Sequence, residues 1–238
     1  MESFLLLGFL VGMAHAFEAD HLAAVGALAS EGRATGRRLA VLGASWGLGH
    51  TTMLVLIATP VVAFGYVLSA RMAAGMEFFV GIMLVVLGGM VLWKMWRQKV
   101  HFHLHDHGDG PHLHAHSHAA SSLPHDSDPH DHAHARFSPR AYLVGLAHGA
   151  AGSAGLVALA AGAAGSAWAA AGYILIFGIG SILGMATLSW VVSWPLRLAE
   201  RAANRLFLTL RLGVAGVAIW LGVSVVAETG PLALFGAG

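Results

Sequence analysis

The chain has 238 residues, 57% of them hydrophobic and only 11% charged, and its mean hydropathy is +0.70. A soluble domain carries about 25% charged residues, so this composition excludes an ordinary water-exposed fold and points to an all-α polytopic membrane protein. A formal net charge of +1 argues against a nucleic-acid partner, and the lack of cysteine excludes disulfides and thiolate metal ligation.

Six apolar stretches are long enough to cross a bilayer: 3–29, 39–65, 72–96, 141–163, 167–194 and 207–227. The first contains a small-x-small motif at Ala14-His15-Ala16, as a signal-peptide cleavage site would. It opens on Glu2 without a preceding Lys or Arg, and its apolar pattern continues to Ala29, so it reads as a membrane helix.

Within this first span, His15, Glu18, Asp20 and His21 place four metal-competent side chains in seven residues. Buried without partners they would cost several kcal/mol, so they must face protein, water or an ion. In a straight helix His15, Glu18 and His21 form one band with steps of roughly 60°, while Asp20 points roughly 140° from His15. Either the backbone breaks here or Asp20 stands behind a histidine and orients it, and the second is preferred. The second span adds His50 and the fourth adds His148.

Between the third and fourth spans lies a polar tract, 98–140, rich in His, Asp, Gly, Pro and Ser. Twelve of the chain's sixteen histidines fall in it, between His101 and His134. It has no apolar periodicity and cannot bury a core, so it is expected to be disordered without metal. Its accessory metal ligands would be His101, His103, His105, His107, His112, His114, His116, His118, His130, His132 and His134. The tract divides the chain into a first three-helix unit at 1–97 and a second at 141–238.

The two units repeat. Leu10-Val11-Gly12-Met13-Ala14-His15 recurs as Leu143-Val144-Gly145-Leu146-Ala147-His148, and Trp46-Gly47-Leu48-Gly49-His50 as Phe177-Gly178-Ile179-Gly180-Ser181. The third and sixth spans correspond only in glycines such as Gly81 and Gly216. With an odd number of spans in each half, the halves must be inverted, as in many secondary transporters. Eleven of thirteen basic residues fall in the first, third and fifth connections or flank them. The positive-inside rule then puts the histidine tract in the cytoplasm and both termini outside a multi-pass cell membrane protein, in bacteria the inner membrane. No phosphate loop and no His-Glu-x-x-His zincin order occurs, so neither a nucleotide motor of that type nor an enzyme is expected.

Ala14-His15-Ala16-Phe17-Glu18-Ala19-Asp20-His21 resembles the signature of the nickel/cobalt transporter family. Gly49-His50-Thr51-Thr52 is similar to that family's motif in the next helix, and Leu146 to Ser153 to a motif of its six-span UreH-like branch. The resemblance implies that His15, Asp20 and His21 are essential to transport and that Ni²⁺ or Co²⁺ is taken up. The larger members have eight spans and further acidic motifs, whereas spans four and five here carry no Asp or Glu.

The sequence reading is therefore a six-helix secondary transporter of a divalent transition metal, nickel before cobalt, with zinc admissible and import favoured over export. The expected site is His15, Asp20, His21, His50 and His148, with Glu18 beside them. No prosthetic group is expected. The partners would be the ion, the bilayer and a cytoplasmic metallochaperone. The rivals are an exporter of the same superfamily, a membrane-bound metal chaperone or sensor, and an intramembrane metalloenzyme, which the missing zincin order disfavours.

Overall fold

The computed structural model describes residues 2–29, 35–66, 68–97, 101–105, 112–116, 137–150, 166–202 and 204–236. Seven helices are present among them: α1 (Glu2–His15), α2 (Ala19–Ala29), α3 (Gly36–Phe64), α4 (Ala70–Arg97), α5 (Pro139–Ala150), α6 (Ala167–Ala202) and α7 (Asn204–Phe235). Four of these, α3, α4, α6 and α7, are each long and apolar enough to cross a membrane. The pair α1 and α2 passes the same test when taken together, as a fifth candidate span bent by 54° at the break between them. The fourth expected span, 141–163, is described only through α5, and its remainder lies outside the described residues.

Local chemistry sets the helix ends. Ser69, Ser138 and Ser166 stand before α4, α5 and α6, and each hydroxyl accepts a backbone N–H three residues on, at 3.2, 3.3 and 3.2 Å. At α5 the cap is followed by Pro139, whose fixed φ suits the first helical position. α3 ends at Gly65, which adopts a left-handed φ of 66° and lets the Tyr66 N–H reach back to the Pro60 carbonyl.

α3 lies centrally, packed on α5 and α6, while α1 packs on α6, α4 on α7, and α2 on α7. Glycines bring the backbones together. A Cβ at Gly12 would strike the carbonyl of Phe177, and one at Gly145 the carbonyl of Trp46. Gly49 abuts the backbone of Tyr142 and Leu146, and Gly180 that of Phe9 and Met13. Each contact in one half thus has its counterpart when the repeat-matched residues are exchanged. Between α4 and α7, Gly81 meets the Gly222 carbonyl and Gly222 meets the Gly81 carbonyl. Gly216, matched to Gly81 in the sequence repeat, makes no such approach: a Cβ there would meet nothing within 4 Å among the described residues.

The core holds Trp46, Leu84, Leu87, Val91, Met185 and the small side chains Ala16, Ala23, Ala24, Ala27, Ala215 and Ala218. Large apolar side chains such as Leu6, Leu56, Phe79, Leu143, Leu183 and Trp220 point outward. Such a surface suits hydrocarbon rather than water.

In the polar tract, two strands, β1 (His101–His105) and β2 (His112–His116), pair antiparallel. His101 stands opposite His116, His103 opposite His114 and His105 opposite His112. These ten residues depart from the structureless expectation, and the reason is legible afterwards: histidine alternates with Phe, Leu and Ala at the two-residue period of a strand.

Candidate metal centre

The first span breaks where its polar residues cluster. After His15 the chain leaves the helix for three residues, held by bonds from the Phe17 N–H to the Ala14 carbonyl and from the Glu18 N–H to the His15 carbonyl. The Glu18 carbonyl then accepts the Leu22 N–H and opens α2. The sequence reading preferred an unbroken helix with Asp20 behind a histidine. The backbone does break, and Asp20 nevertheless takes that orienting position.

Four histidines from four helices converge. His15 ends α1, His21 lies in the first turn of α2, His50 in the middle of α3 and His148 near the end of α5. All four are buried, with His21, His50 and His148 each only 1% exposed. Ring centroids lie 4.6 Å apart for His15 and His21, 5.1 Å for His15 and His50, and 5.5 Å for His21 and His50. Three imidazoles sharing one tetrahedral ion at metal–nitrogen distances of about 2.0–2.1 Å have centroids about 5.2 Å apart. The observed triangle is close to that spacing.

Carboxylates decide which nitrogens are bare. Asp20 accepts the His21 backbone N–H at 2.8 Å and the His21 Nδ1–H at 2.9 Å on Oδ1, and the His148 Nε2–H at 2.9 Å on Oδ2. Glu18 accepts the His15 Nδ1–H at 2.7 Å. An ionised carboxylate only accepts, so each of these ring nitrogens carries the proton. In neutral imidazole the other nitrogen is then a lone pair: Nε2 on His15 and His21, Nδ1 on His148. His21 Nε2, His148 Nδ1 and both nitrogens of His50 are buried and have no hydrogen-bond partner among the described residues. Leaving a buried polar atom unsatisfied costs about 1–3 kcal/mol, so several together in one place amount to a site that asks for a ligand.

The candidate ligand atoms fall into two groups, His15/His21/His50 and Asp20/His21/His148, each with its atoms within 4.8 Å of one another. Glu18, half of whose side chain is exposed, belongs to neither group among the described residues and acts through His15. The backbone of His101, His103, His105, His112, His114 and His116 is placed in the hairpin, while His107, His118, His130, His132 and His134 lie outside the described residues.

Aromatic walls close the site. The Trp46 ring lies 5.3 Å from His21 and 5.6 Å from His148, and Phe177 lies 5.5 Å from His15. Sequence reasoning matched Trp46 and Phe177 as repeat partners and missed that each stands against the other half's or its own half's histidine. Ser181, the repeat partner of His50, was likewise passed over: its hydroxyl donates to the Gly12 carbonyl at 3.2 Å. The signal for all three was the repeat itself, read at the level of contacts.

With this geometry in view, residues 3–220 match a family described as the cytochrome C biogenesis protein transmembrane region. The chain belongs to that family. Within it the chain is UreH-like: it is 30% identical over 199 residues to the urease accessory protein UreH of Bacillus sp. (strain TB-90), covering 84% of this chain and 80% of that one. No solved structure matches it. The chain has no cysteine, so the candidate ligand atoms are imidazole nitrogens and carboxylate oxygens.

Proposed function

We propose that the chain is a secondary transporter that imports a divalent transition metal, nickel or cobalt, through the buried histidine centre. The observation that carries this reading is the set of bare, fully buried imidazole nitrogens on His21 and His50 beside His15, at the mutual spacing of a shared ion. An all-nitrogen and oxygen donor set suits nickel, cobalt or zinc. A relative named for service to urease supports a metal-related membrane role, and the resemblance to nickel/cobalt transporters supports the choice of ion.

Six spans in two inverted halves are part of this proposal. The reciprocal packing of Gly12 on Phe177 and Gly145 on Trp46, and of Gly81 and Gly222 on each other, supports it. Inverted repeats characteristically hold substrate at their interface near the bilayer midplane, formed partly by discontinuous helices. The break after His15 and the meeting of α1, α2, α3 and α5 at the centre fit that pattern. Basic residues favour both termini outside and the histidine tract in the cytoplasm, where it would receive or buffer the ion and pass it to a metallochaperone.

Uptake into proteoliposomes across a panel of Ni²⁺, Co²⁺, Zn²⁺ and Mn²⁺ tests the reading. Wild type is expected to carry Ni²⁺ or Co²⁺ and His21→Ala to carry none. Equal flux in the two proteins would remove the centre from the transport path.

A further inference from the structure

The five ligating residues do not form one cage. They form two groups that share only His21, and His50 and His148, one in each group, are farther apart, with ring centroids at 6.4 Å. We propose that the centre is two overlapping stations, an all-imidazole one at His15/His21/His50 and a carboxylate-containing one at Asp20/His21/His148, which a single ion occupies in turn. This rests on the transport reading and specifies how the ion moves within the site.

The sharing of His21 makes occupancy exclusive. A neutral imidazole has one lone pair. With its Nδ1–H held by Asp20 at 2.9 Å, His21 offers Nε2, the nitrogen left without a partner, to His15 and His50. For the ion to sit against Asp20 and His148, the His21 proton must instead be on Nε2, which removes this residue from the imidazole station. The ion would displace the His148 proton from Nε2 to Nδ1, the nitrogen that has no partner among the described residues. Each station alone therefore has three protein ligands and an open position, a set that holds an ion without closing around it. An ion that must leave again is better served by two incomplete neighbouring sites than by one complete cage.

The stations also belong to different parts of the fold. His15, His21 and His50 all come from the first half, on α1, α2 and α3, whereas the second station draws His148 from α5. The hydrogen bond from His148 to Asp20 spans 128 residues of sequence and joins the two halves. A step between stations is thus a step from a site internal to one half to a site at the junction of both.

The test uses the full-length chain with its twelve loop histidines changed to Asn, so that bound ions report the centre alone. Equilibrium dialysis with Co²⁺ is expected to give one ion per chain. His148→Ala should keep that ion on three imidazoles by X-ray absorption, and His50→Ala should keep it on two imidazoles and an oxygen. Both should lose uptake by tenfold or more, and His21→Ala should bind none. His50→Asn and His148→Asn, nearer in volume, repeat the comparison should an alanine variant fail to fold. Two ions per wild-type chain, or loss of all binding in both His50 and His148 variants that remain folded, would overturn the two-station arrangement. A wild-type protein that binds no ion and carries none would instead overturn the transport reading on which it rests.

Discussion

Replacing Gly12 or Gly145 by alanine adds one methyl group to a helix, and two opposing effects decide the outcome. Helix propensity favours alanine over glycine by about 1 kcal/mol. At Gly75 and Gly89 a new Cβ meets no atom within 4 Å, so Gly75→Ala and Gly89→Ala should be neutral or stabilising by up to that amount. At Gly12 and Gly145 the methyl instead meets the backbone carbonyls of Phe177 and Trp46. A backbone carbonyl cannot rotate aside as a side chain can, so α1 must part from α6, or α5 from α3. Overpacking of this kind costs about 1–3 kcal/mol. Net of the propensity gain the loss is about 0–2 kcal/mol, and for a chain of this size each kcal/mol moves Tm by about 2–4 °C, so the interface variants should fall by up to about 8 °C while the controls rise by up to about 4 °C. Thermal unfolding in detergent, followed by the fluorescence of the chain's seven tryptophans, measures this. Gly12 and Gly145 should also lose similar amounts, because their contacts are reciprocal. Tolerance of both substitutions to the same degree as the controls would refute the packing and the paired-halves argument together.

Further predictions concern the centre itself. Asp20→Asn removes the acceptor that fixes the His21 and His148 protons; such orienting partners typically contribute 10–100-fold to metal affinity, so isothermal titration should show a weakening in about that range, and an unchanged Kd would show that the carboxylate neither binds nor orients. Imidazole must shed its proton to bind metal, so protons compete with the ion, and uptake at sub-saturating ion should fall as pH is lowered and recover when metal is raised. A pH-independent KM for the ion would contradict a histidine site. Deleting 101–134 should leave flux intact at high metal; complete loss of activity would favour a chaperone or sensor in which the tract is the functional part.

Much of the architecture was legible in the sequence because it is written locally. Apolar runs give the spans, since a bilayer admits only backbones that satisfy their own hydrogen bonds. The concentration of His15, Glu18, Asp20 and His21 in one apolar segment marked the centre, because polar groups at membrane depth need partners. Residues in the loop were legible only in composition, and the alternation that pairs β1 with β2 went unread.

What the sequence by itself determined is therefore a cysteine-free membrane protein with a short roster of candidate ligands. The tertiary structure decided which atoms of that roster meet. Glycine abundance on α7 could not say whether Gly216 or Gly222 faces α4, because that depends on the partner's surface. Spacing in the first span could not say that the helix breaks and still leaves Asp20 behind His21, because that depends on His148 arriving from 128 residues away. Which imidazole nitrogen is bare is set by the hydrogen bond on the other one, and such bonds exist only once distant helices have packed.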